Sequence, residues 1–150
     1  MLDWIEATGV ARSVAASGTI TAWLSAVHAV GFALVMGSAL VANLRGVGAL
    51  LRQCPLADVV PPANAAIALG LAVSACTGLL LFAARAADVG ANGAFGLKML
   101  LLIAAAAVQF TLVRGAATRD AARAARAASA AALALWLGLA LAAFVFVLLE

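Results

Sequence analysis

Four stretches of the chain carry apolar residues almost without interruption. Each is long enough to cross a bilayer, which takes about 20 residues of helix rising 1.5 Å apiece. The first covers residues 19–42 and holds one ionisable residue, His28. The second covers 63–84, the third 94–113 with Lys98 near its start, and the fourth 128–149 with no internal ionisable group. Ahead of them Leu2, Ile5 and Val10, with Trp4 beside them, form a short amphipathic pattern. It predicts an interfacial helix whose indole lies at headgroup depth and whose Asp3, Glu6 and Arg12 stay in water. The expected fold is all-α: one integral membrane four-helix bundle spanning residues 1–150, with a short N-terminal interfacial helix.

Polar and turn-forming residues separate these runs. After the first span come Asn43, Arg45, Arg52 and the pair Pro61, Pro62, which mark exit from the membrane and a turn into the next helix. Arg85 and Asp88 close the second span before a flexible connection, VGANGAFG. Arg114, Arg119, Arg123 and Arg126 are diluted by alanine in the last connection, and both residue types favour helix.

Composition agrees with the pattern. Of 150 residues, 67% are apolar and 10% charged, against about 45–50% and 25% in soluble domains. That excludes a soluble catalytic domain. The formal charge of +3 arises at the ends of apolar runs, where membrane topology accounts for it and nucleic acid does not. The first eighteen residues begin with acids and lack the basic start and compact apolar run of a secretory signal, so the N-terminus is expected to be retained. The connections after spans one and three hold six Arg, whereas the other side holds Arg12, Arg85 and Lys98. This asymmetry places both termini outside the cytoplasm, which in a bacterium is the periplasmic side of the inner membrane. Cys54 lies in a connection and Cys76 inside a span, and no bridge between them is expected.

Small residues recur every four positions as Gly70, Ser74 and Gly78 on span two and as Ala33 and Gly37 on span one. Such stripes let helices approach closely, although so much alanine produces them by chance as well. Gln109, Ser38, Ser74 and Thr77 are polar groups able to satisfy each other across helices.

His28 stands about 14 Å into its span by helical rise, where an imidazole is a candidate metal or haem ligand, proton relay or interhelical hydrogen-bonding group. Leu24, Gly31, Phe32 and Val35 share its face. Gly31 one turn on would let a flat apolar ring such as a porphyrin lie against the backbone. Lys98 falls about four residues into span three on the same outer side, and Lys98 with Arg85 stands at about the depth where the propionates of such a ring would lie. With one histidine per chain, a second axial site is open, filled by another residue or supplied across an interface. Met36, Met99 and Cys76 are soft but too scattered for a copper motif.

The run Trp23-Leu-Ser-Ala-Val-His28-Ala-Val-Gly31, then Leu44-Arg45-Gly-Val-Gly48, Thr77-Gly-Leu-Leu-Leu-Phe-Ala and Phe95-Gly-Leu-Lys98 resembles small bacterial membrane proteins related to the CopD and HemJ superfamily. The resemblance covers spans one to three. It implies a haem b ligand at His28 and a role for Lys98 in oxidising protoporphyrinogen, and through CopD it also implies copper import. The chain lacks the further histidines and the Trp- and Tyr-rich start of HemJ. The expected function is a haem-b-binding membrane protein passing electrons to or from a membrane or periplasmic partner, and a second axial ligand supplied by another copy would make it a homo-oligomer. The alternatives are a HemJ-like tetrapyrrole oxidase and a cofactor-free accessory subunit.

Overall fold

The computed structural model describes residues 2–118 and 122–148, apart from the side chain of Asp3. Arg119 and the expected last residue of span four, Leu149, lie outside them. The described residues form helices and no strand. Two short helices, α1 (Asp3–Glu6) and α2 (Gly9–Ala16), precede four long apolar ones, Gly18–Val47, Leu56–Ala84, Gly93–Thr118 and Ala122–Leu148. These are spans one to four of a multi-pass membrane protein.

Local chemistry sets their ends. Thr8 caps α2 by accepting from Ala11 N–H, and Ser17 caps span one by accepting from Ile20 N–H. Span one stops at Gly48, whose φ of 83° is the left-handed conformation that ends helices. Span two starts seven residues earlier than expected, at Leu56. Pro61 and Pro62 therefore sit inside it and do not mark a turn. They leave the carbonyls of Ala57 and Asp58 without helical donors, a small cost because both residues are exposed. The expected flexible connection is also helical over Ala86–Ala91, breaking only at Asn92, whose side chain accepts from Ala94 N–H at 2.9 Å. The arginine-bearing connection is helical on both sides of the undescribed residues, as anticipated.

The N-terminal helices are more tightly held than an interfacial segment needs. Glu6, expected in water, accepts the Ala87 N–H at 2.8 Å, and Thr21 donates to the Val14 carbonyl at 2.9 Å. Ala11, Val14, Ala86 and Val89 are buried between them. We call this the terminal end of the bundle and the opposite one the arginine end.

The core is lopsided. Complete burial begins at Gly31 on span one and at Ala105 on span three, and it ends at Ala142 on span four. On span two it fades after Gly70, with Thr77 the last buried position. The closed part therefore lies toward the arginine end, around Val35, Ala39, Val60, Ile67, Trp136 and Leu139. At its centre one polar residue from each span meets the others. Asn43 donates to Gln109 Oε1 at 2.8 Å, Gln109 donates to Asn64 Oδ1 at 2.8 Å, and Trp136 Nε1 donates to Gln109 Oε1 at 3.3 Å. Asn43, expected at the lipid interface, is fully buried, and Arg45 turns back to donate to the Cys54 carbonyl at 2.6 Å. Gln109 thus pairs with two asparagines and a tryptophan and not with Ser38, Ser74 or Thr77.

Gln109 stands in a six-residue π-helical turn, Val108–Val113, closed by Arg114 N–H on the Gln109 carbonyl five residues back. The Thr111 hydroxyl also donates to the Ala107 carbonyl at 2.6 Å, the i−4 back-bond that tends to bend helices.

Spans one and two touch along the small-residue stripe. A methyl group at Gly70 would stand 2.7 Å from the Gly31 carbonyl oxygen and 2.8 Å from Val35 Cγ2. Gly70→Ala is therefore expected to destabilise the bundle by about 2 kcal/mol, the usual scale for overpacking against groups that cannot yield. Gly37→Ala, with nothing within 4 Å, should leave stability unchanged or raise it through helix propensity. Thermal unfolding of both variants in detergent checks the contrast. Gln109→Leu removes three interhelical hydrogen bonds, each worth about 0.6 kcal/mol in a bilayer, and strands their buried partners. The same measurement should show a loss of at least about 2 kcal/mol.

Candidate functional site

At the terminal end the seam between spans one and two continues into His28. Its Nδ1 lies 2.9 Å from the Ser74 carbonyl and 3.1 Å from Thr77 Oγ1. A carbonyl can only accept, and the Thr77 hydroxyl donates its own proton to the Val73 carbonyl at 2.8 Å. Both neighbours thus accept from Nδ1, which assigns the proton there and leaves the lone pair of the neutral ring on Nε2. Ser74 Oγ returns a bond to the His28 carbonyl at 3.3 Å.

The ring is seated as well as bonded. A methyl group at Gly78 would lie 3.0 Å from His28 Cε1, so the imidazole occupies the space a side chain would fill. Gly31 has a similar use one turn on. Its missing side chain admits Ser74 Oγ and the Gly70 backbone, and this buried face is taken by span two. A flat ligand would not rest on it.

Lys98 comes from span three at the same end of the bundle as His28, close enough for its charge to act on the ring. Its ammonium also lies 5.5 Å over the Phe146 ring of span four, within cation–π range. Phe95 stacks on Phe82 of span two at 5.4 Å and meets Phe146 at 6.1 Å. This aromatic column joins three spans beside Lys98, and its offset contacts are those aromatic rings favour. The motif carrying Lys98 also contains Phe95, but sequence alone does not show which faces meet. Arg85 sits farther out, an exposed residue at the junction of span two and helix Ala86–Ala91. It is about 10 Å beyond Gly78 by helical rise.

Beside His28 an apolar groove of about 280 Å³ runs between spans one and two, lined by Thr19, Ile20, Trp23, Leu24, Val27 and Thr77. Drug-sized ligands occupy roughly 300–1,000 Å³, so a porphyrin-sized guest would also need lipid or a second chain around it. Cys54 and Cys76 are free thiols. Among the described residues no three His, Cys, Asp or Glu side chains cluster as a metal cage.

Comparison with known proteins found no matching family model, no matching curated protein and no matching solved structure.

The terminal-end contacts make a further prediction. Thr77→Val keeps the Ser74 carbonyl bond and removes only one acceptor, so it should cost less than about 1 kcal/mol. His28→Ala empties the space over Gly78 and leaves the Ser74 carbonyl without its interhelical donor, and should cost about 2 kcal/mol. Melting of the two variants side by side in detergent reads the difference.

Proposed function

We propose that this chain is a haem-b-binding integral membrane protein that passes electrons to or from a partner, with His28 Nε2 as the axial ligand. One observation carries the reading. Nδ1 is held by the Ser74 carbonyl, as metal-ligating histidines are usually held through their other nitrogen. That bond fixes the ring, sets the tautomer and makes Nε2 the better donor.

The donor chemistry fits haem b; the open groove would hold such a guest only with part of it lying against lipid or another chain. When bound, haem b supplies one-electron redox chemistry at its iron. The protein's own part is to orient the imidazole through Ser74 and to offer the Lys98 cation, nearer the terminal end, to an anionic edge. It also presents apolar and aromatic surface that excludes water. Arg85 would serve a second propionate only from its more exposed position. In this reading the chain lies in a bacterial inner membrane with both termini periplasmic, as its six-to-three distribution of Lys and Arg favours. The redox partner is a membrane or periplasmic protein. The resemblance to CopD- and HemJ-like proteins implies the same ligand.

A reduced-minus-oxidised visible spectrum tests this on detergent-purified protein expressed with a haem precursor. A Soret band near one haem per chain is expected, lost or weakened in His28→Ala and retained in Gly37→Ala. A flat spectrum from haem-replete cells overturns the proposal. It would favour the cofactor-free accessory subunit, whose supporting observation is the snug seat of the imidazole on Gly78. In that case His28→Gln should leave assembly intact.

A further inference from the structure

The amide cluster at the arginine end has a polarity that two of its neighbours dictate. Trp136 Nε1 can only donate, so the Gln109 atom facing it is the oxygen. The Ala39 backbone carbonyl can only accept, so the Asn43 atom 2.8 Å from it is the nitrogen. These two constraints agree, because Asn43 then donates to Gln109 Oε1. Gln109 is left with Nε2 turned the other way, and the atom of Asn64 that meets it must be Oδ1. No amide can be turned over without setting donor against donor or acceptor against acceptor.

That fixed orientation leaves a defined remainder. Asn43 Oδ1, an acceptor, and Asn64 Nδ2, a donor, are buried without a hydrogen-bond partner. So is the hydroxyl of Ser129, which can do both and which packs into the side-chain space of Gly46, one turn beyond Asn43. Asn43, Asn64 and Ser129 are 0%, 6% and 1% exposed. Such orphans are rare in folded proteins and commonly mark an ordered water or ion.

The chemistry of the remainder selects among guests. A cation would satisfy only the acceptors among these groups, and an anion only the donors. Water satisfies both kinds, because it can accept from the amide hydrogens and donate to the amide oxygen. We infer that the four-span cluster is a binding site for buried water, which accepts from Asn64 Nδ2 and donates to Asn43 Oδ1, with the Ser129 hydroxyl extending the site toward the arginine end. The inference stands apart from any ligand at His28.

The test is water-edited solid-state NMR of the full-length wild-type chain in lipid bilayers, so no variant has to fold. The exposed Gln53 side-chain amide serves as the wet reference and the fully buried Ala105 backbone amide as the dry one. Magnetisation from water should reach the Asn64 side-chain amide several-fold faster than Ala105 N–H. Build-up at Asn64 no faster than at Ala105 would overturn the site. A chemical-shift change at the Asn43 side-chain carbonyl on adding potassium ions would overturn the choice of water in favour of a cation.

Discussion

The side chain of Gln109 is the fastening on which the bundle depends. Lipid gives apolar helices no hydrophobic reason to associate, so contact between spans rests on close packing and on polar groups that prefer each other to hydrocarbon. One carboxamide on span three reaches spans one, two and four together. The π turn supplies its setting, widening the helix locally where ordinary winding would continue. With the arginine end closed in this way, the terminal end need not be closed by its own core. The two ends thus divide the work, one holding the spans together and the other presenting His28 and Lys98.

The seam between spans one and two links the two ends. Gly31 and Gly70 bring the backbones together, Ser74 bridges them, and His28 over Gly78 finishes the contact. The same stripe that packs the helices therefore fixes the imidazole. A change that widened the seam would loosen the ring orientation before it separated the spans.

Much of this was legible in the sequence, for identifiable reasons. Four apolar runs of sufficient length give four spans because length and hydropathy are nearly sufficient information in a bilayer. Residue counting alone put His28 and Lys98 toward the same side of the membrane, about 14 Å and about 6 Å into their spans. What was not legible is which way each helix faces. In a soluble bundle the apolar stripe points inward, but here Trp23, Leu69, Leu100 and Phe144 are apolar and exposed, so both faces look alike. Asn43 read as the frayed end of a span because an arginine follows two residues later. Asn64 gave no signal beside Pro61 and Pro62. The prolines looked like a break because their ring chemistry usually makes one, yet the carbonyls they strand lie in exposed first turns. Nothing local announces the π turn around Gln109.

The groove beside His28 opens sideways. Trp23, 70% exposed, and Val27 form part of its wall, and in a membrane those side chains face hydrocarbon. A guest approaching from there is drawn from the bilayer and not from solution, so the relevant concentration is what the lipid has already accumulated. Partitioning would then act as a first filter: each added methylene enriches a molecule in the membrane by about 0.8 kcal/mol before it touches the protein. Selectivity at such an entrance is shared between the chain and the membrane around it.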